Sequence, residues 1–204
     1  NSSIGSNWIA QTLAANFAPR DYPKAASFNN VLWLTGGWNG AIAFNDVWFS
    51  SEGSNWTQAT ASANYRVRYG HSFLTFNDVL WVIAGYTGSV YKNDAWYSVN
   101  GTNWTQATAS AGFSGRFGHS SVIFNNRIWV IGGSPAGSTW NNDVWHSIDG
   151  TNWIQATASA AFTGRYFSEV LVFNNAMWVV AGTGSSSAVK DTWHSSDGTN
   201  WTQA

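Results

Sequence analysis

The chain has 204 residues, a formal net charge of -1 and only 9% charged side chains. That balance gives no electrostatic basis for binding nucleic acid or an anionic membrane surface. The sequence has no cysteine, which removes disulfides and thiolate chemistry, and no apolar run long enough to span a bilayer as a helix.

Residues 1–12 read NSSIGSNWIAQT and match segments that recur later, SEGSNWTQAT, VNGTNWTQAT and IDGTNWIQAT. They predict an additional N-terminal outer strand, with Trp8 as its repeated tryptophan. From Arg20 a longer text begins, RDYPKAASFNNVLWLTGG, followed by NDVW and GSNWTQ. Arg68 opens RYGHSFLTFNDVLWVIAG, Arg116 opens RFGHSSVIFNNRIWVIGG, and Arg165 opens RYFSEVLVFNNAMWVVAG. These arginines lie 48, 48 and 49 residues apart, a period that marks a radial or linear array. The repeat units run approximately over 13–60, 61–108, 109–157 and 158–204.

Each unit divides into four short strands rich in β-branched and aromatic residues. In the second unit the first strand runs from His71 to Phe76 and the second begins at Leu80. The third centres on Trp96 and the fourth on Trp104. Asn-Asn or Asn-Asp at 29–30, 77–78, 125–126 and 174–175 predicts a tight hairpin between the first two strands. Asn-Gly at 100–101 and Asp-Gly at 149–150 and 197–198 predict a second turn, with Glu-Gly at 52–53 a weaker version. The second strand, Leu80-Trp81-Val82-Ile83, is apolar on both faces and needs cover on both sides. Trp48, Trp96, Trp145 and Trp193, with Trp56, Trp104, Trp153 and Trp201, are expected to fill wedges between diverging blades.

The repeated first-strand opening, VIGG, NDVW and terminal NW resemble the kelch repeat, and most of all bacterial kelch-type proteins similar to the galactose oxidase propeller. The resemblance covers essentially the whole chain. It implies an all-β propeller of four four-stranded blades and a secreted or cell-surface bacterial protein. It carries no oxidase activity, because the copper chemistry needs a Cys–Tyr cross-link and there is no cysteine. Four blades fall below the number usual in the family and leave three readings of closure: a four-bladed monomer, a head-to-tail dimer with eight blades, or part of a longer array.

No catalytic motif and no cofactor or metal site is expected. His71 and His119 recur in only two units without a carboxylate beside them, a poor metal set. Arg20, Arg68, Arg116 and Arg165 precede the innermost strand and should encircle one mouth of the channel. They could hold an anion there, but equal numbers of Arg and Asp (Asp46, Asp94, Asp143, Asp191) favour a mostly structural pairing. Lys24 and Glu169 replace Ser72 and Ser120 at the two ends of the array, and as opposite charges could form a seam pair. Trp38, Tyr86, Tyr91 and Trp140 lie in the variable loops and are candidate ligand contacts for a glycan or protein. The expected function is non-catalytic binding or scaffolding, with self-assembly through blade edges as the alternative.

Overall fold

In the computed structural model, residues 9–135 and 139–204 are described. They form four antiparallel four-stranded sheets. Blade 1 comprises β1 (Lys24–Phe28), β2 (Val31–Thr35), β3 (Val47–Ser50) and β4 (Thr57–Thr60). Blade 2 comprises β5 (Ser72–Phe76), β6 (Val79–Tyr86), β7 (Tyr91–Ser98) and β8 (Thr105–Thr108). Blade 3 comprises β9 (Ser120–Phe124), β10 (Arg127–Ile131), β11 (Val144–Ser147) and β12 (Ile154–Thr157). Blade 4 comprises β13 (Glu169–Phe173), β14 (Ala176–Thr183), β15 (Ala188–Ser195) and β16 (Thr202–Gln203). Within each sheet the strands lie in chain order, so every connection joins neighbours. Of the outer strand expected at 1–12, residues 1–8, Trp8 among them, lie outside the described residues. Residues 9–12 are exposed and outside any sheet.

The hairpins between inner strands follow from their turn residues. Asn77 and Asp78 both adopt positive φ, 49° and 56°, and Phe76 pairs directly with Val79. Two left-handed residues in sequence make the turn whose twist matches the flanking strands, and Asn and Asp tolerate that conformation better than other side chains. The fourth strand differs from expectation. It starts one residue after the repeated tryptophan, at Thr57, Thr105, Ile154 and Thr202. Trp104 belongs to the turn, where its Nε1 donates to the Gly101 carbonyl at 3.1 Å, and the ring is thereby free to enter the interior.

The apolar core lies between blades. One cluster joins blades 1 and 2 through Phe28, Trp33, Val47, Phe73, Leu80 and Val82. A second joins blades 2 and 3 around Trp81, Ile83, Ile128 and Val130, and a third joins blades 3 and 4 around Trp129, Ile131, Met177 and Val179. Alternate residues of one central strand therefore serve two different wedges, which explains its two apolar faces. Each wedge is closed by an aromatic from the linker: Tyr65 meets Trp104, Phe113 meets Trp153 and Phe162 meets Trp201, edge-on at 5.0, 5.1 and 5.2 Å. Among the described residues no fourth cluster joins blade 4 to blade 1.

A second interlock crosses each wedge. The rings of Trp33, Trp81 and Trp129 on the middle strands lie against Gly101, Gly150 and Gly198 in the β-turn of the following blade, where any Cβ would strike the indole. Glycine is required there both for that approach and for φ values of 72–77°. The indole Nε1 of Trp33, Trp81 and Trp129 donates to the carbonyl of Phe28, Phe76 and Phe124, so burial leaves no donor unpaired.

Candidate functional site

The four repeated arginines are the most deeply buried charges in the molecule. Arg68 and Arg116 are wholly inaccessible, as is Arg165. Each makes a two-pronged contact to the aspartate of its own third strand: Arg68 Nη1 and Nη2 lie 2.7 and 3.1 Å from the two Asp94 oxygens. Arg20 holds Asp46, Arg116 holds Asp143 and Arg165 holds Asp191 in the same way. Nη1 also donates to the carbonyl that ends the second strand, such as Ala84 at 2.8 Å, and Nε donates back to Arg66. The aspartate accepts a further bond from the third-strand tryptophan, Trp96 Nε1 at 2.9 Å. Every donor of the guanidinium fork therefore points into the protein, and the arginines present no charge to a ligand at the mouth. Burial alone would raise the Asp94 carboxyl, but the bonds and charge of Arg68 outweigh it and lower it instead.

The asparagine before that aspartate fastens the next linker. Asn93 Nδ2 donates to the carbonyls of Ala111 and Phe113, and Asn45 and Asn142 do the same for their linkers. Blade 4 has Lys190 at this position.

At one mouth a residue three before each inner strand bridges the end of the second strand or the loop just after it: Asp21 with Trp38, Tyr69 with Tyr86, Phe117 with Ser134 and Tyr166 with Thr183. This places the variable loops and a set of aromatics side by side. Trp38 stacks on Tyr69 at 5.9 Å, and Tyr69 meets Tyr86 at 5.6 Å. Tyr86 lies 4.4 Å from Tyr91, which reaches Phe117 at 5.9 Å. Phe117 meets Tyr166 at 5.7 Å, and Tyr166 meets Trp140 at 6.4 Å. Tyr22 stacks on Phe167 at 5.1 Å, linking the first and last blades. Trp38, Tyr86, Tyr91 and Trp140 thus share one continuous surface with Tyr22, Tyr69, Phe117, Tyr166 and Phe167. The latter five were not singled out from sequence, although an aromatic within two residues after each repeated arginine was the available signal. The rings are partly exposed, and a shallow depression of about 300 Å³ lined by Pro19, Arg20, Asp21, Trp38 and Asn39 adjoins them.

A family model described as the KLHDC2/KLHL20/DRC7 Kelch-repeats domain matches residues 24–204. The chain belongs to the kelch-repeat β-propeller family. The match establishes the kelch repeat; the narrower bacterial, galactose oxidase-like affiliation goes beyond it. No curated protein matches the chain.

The axis of this kelch propeller holds a polar cavity of about 140 Å³, lined by Lys24, Ser72, His119, Ser120, Ser168 and Glu169 among others. Lys24 and Glu169 share that cavity, but no ion pair joins them. Among the described residues no three His, Cys, Asp or Glu side chains are grouped to hold a metal, and no helix is long and apolar enough to cross a membrane. His119 Nε2 lies 2.8 Å from Ser72 Oγ, while neither ring nitrogen of His71 has a partner among the described residues. Lys24 occupies the position in blade 1 that Ser72 fills in blade 2. His146 lies against Trp129 at a tilt of 51°, and His194 stacks on Trp178.

Burial, then the charges of Arg68 and Lys24, depress His71 well below the ordinary imidazole value of 6.5; burial, then Arg116 and Lys24, do the same to His119. Both stay neutral in the folded kelch domain while the unfolded chain takes up protons below 6.5, so stability is retained above that pH and lost as pH falls. The expected loss is up to about 1.4 kcal/mol per pH unit for each histidine. Replacing both with serine, the residue at 168 in blade 4, should flatten urea midpoints measured from pH 7.5 down to 4.5. An unchanged slope would show that these histidines are not the groups responsible. Asp191, held to about 2 mainly by Arg165, acts only below this window.

Proposed function

We propose that this kelch propeller is a non-catalytic binding module whose ligand, a glycan or a peptide segment of another protein, lies across the aromatic mouth. The observation that supports this reading is the continuous run of nine partly exposed rings, contributed by all four blades and carried by loops on a rigid frame. Flat rings offer large contact area at small entropic cost to sugar faces or to apolar and aromatic side chains. Neighbouring Asn39, Thr87 and Ser89 supply hydrogen-bonding groups at the rim. The near-neutral surface favours an uncharged ligand over a polyanion. The motif resemblance further supports placing the protein on the outside of a bacterial cell.

Glycan and peptide arrays probed with the wild type and with a Trp38→Ala, Tyr69→Ala double variant test the proposal. The expected result is a set of ligands whose binding falls at least about tenfold in the variant, as for loss of a contact worth about 1.4 kcal/mol. Ligands that bind both proteins equally, or silence on both arrays, would remove the mouth as the binding surface.

A further inference from the structure

The axial cavity breaks the repeat that surrounds it. The four inner strands β1, β5, β9 and β13 open on Lys24, Ser72, Ser120 and Glu169, and all four residues line the cavity. The two serines are committed to their neighbours. Ser72 Oγ lies 2.8 Å from both His119 Nε2 and Ser121 Oγ, and Ser120 Oγ donates to the Ser168 carbonyl. The two charged residues are not committed in this way: among the described residues neither Lys24 nor Glu169 forms an ion pair. Lys24 nevertheless acts at the axis, since its charge bears on both buried histidines, His71 and His119. His119 is 3% exposed and lines the cavity, and its Nδ1 has no partner among the described residues. One small space inside a single chain therefore holds an ammonium, a carboxylate, serine hydroxyls and one buried polar atom without a bond. Phe73, Leu74 and Val170 supply an apolar wall. Phe167 lines the cavity as well, and its ring stacks on Tyr22 in the mouth.

We propose that this cavity binds a free α-amino acid with a small side chain, its carboxylate on Lys24 and its ammonium on Glu169. Charge selects the class. A ligand of one sign satisfies one of these groups and is repelled by the other, whereas a molecule with both signs on neighbouring carbons satisfies both. The ends of a peptide do not fit that pattern, because they carry the two charges far apart. Size narrows the class further. A volume of about 140 Å³ holds roughly five water-sized groups at ~30 Å³ each, which admits glycine, alanine or serine and leaves no room for a long or aromatic side chain. Ser121 accepts from Ser72 and so keeps its own proton to donate to a carboxylate oxygen. The apolar wall limits competition from water and strengthens the charge-assisted bonds. The proposal concerns the axis and is independent of any ligand at the mouth.

Titration calorimetry with alanine tests it, with acetate, methylammonium and N-acetylalanine as ligands that lack one charge. Alanine should bind at least about tenfold more tightly than any of the three. In heteronuclear NMR spectra it should shift the amide signals of Lys24, Ser72, Ser121, Ser168 and Glu169. Lys24→Met and Glu169→Gln should each weaken alanine binding by about tenfold or more, the scale of one charged contact. Circular dichroism should show both variants folded, since neither charge is tied into the sheets. The mouth variant carrying Trp38→Ala and Tyr69→Ala should bind alanine as the wild type does, which separates this site from the mouth. Acetate or N-acetylalanine binding as tightly as alanine would mean a plain anion site and overturn the proposal. So would loss of alanine binding in the mouth variant, unchanged binding in the Lys24 and Glu169 variants, or no heat and no shifted signals at about 100 mM alanine. The ligand series on the wild type decides the matter even if a variant fails to fold.

Discussion

Arg68→Met is expected to destabilise the domain by about 3–5 kcal/mol, because it strands the Asp94 carboxylate in the interior and unpartners the Ala84 carbonyl. The effect should not be that of a lost attraction alone. Taking two charges out of water has already cost free energy, so the pair contributes little net stability over an apolar substitute. The loss of one member is what leaves a charge uncompensated. Removing both, with Arg68→Met and Asp94→Leu, should therefore recover part of the loss, although Trp96 Nε1 then lacks its acceptor. Urea unfolding of the two single variants and the double variant gives the coupling energy directly. A cost below about 1 kcal/mol for Arg68→Met would mean that the guanidinium behaves as a surface group. That would revive the anion-ring reading that its burial now excludes.

Trp81→Ala should cost about 3–5 kcal/mol, since it removes a ring that is almost wholly buried and opens a cavity beside Gly150. The same substitution at Trp178, whose ring meets no turn glycine among the described residues, should cost about 1–2 kcal/mol, in proportion to the smaller apolar area covered. The two residues occupy the same place in the repeat and each lies opposite a leucine of the inner strand, Leu74 or Leu171, while the third-strand neighbour is Tyr97 for Trp81 and His194 for Trp178. Their comparison therefore measures the interlock together with that one exchanged neighbour and cancels strand propensity. Equal costs at the two positions would show that the Trp178 ring is covered as fully as that of Trp81.

Most of the architecture was legible in the sequence because the repeat supplied four readings of each position. Asn-Asp before a β-branched run gave the hairpins, and the doubly apolar second strand gave the need for a neighbour on each face. The sequence reading centres the fourth strand on its tryptophan, because a tryptophan reads as a strand former, whereas the strand begins only at the following residue. Its indole in fact closes the preceding turn. The second-strand tryptophans were read only as apolar strand residues. Their role depends on a glycine in a different unit, a relation that periodicity within one unit cannot reveal. The mouth was half visible. Loop aromatics were picked out by their variability, but Tyr69 and Phe117 were overlooked because they sit beside the more conspicuous arginines. Pairing of Arg with Asp was read from equal counts at fixed positions, whereas the bond to the strand-end carbonyl follows from three-dimensional reach alone.

Splitting each joint between neighbouring units has a consequence for how such a chain can grow. A tandem duplication that pastes in one more stretch of 48 or 49 residues brings its own knob and its own socket, and so mends the break it creates. Lengthening or shortening by whole units leaves every internal joint matched.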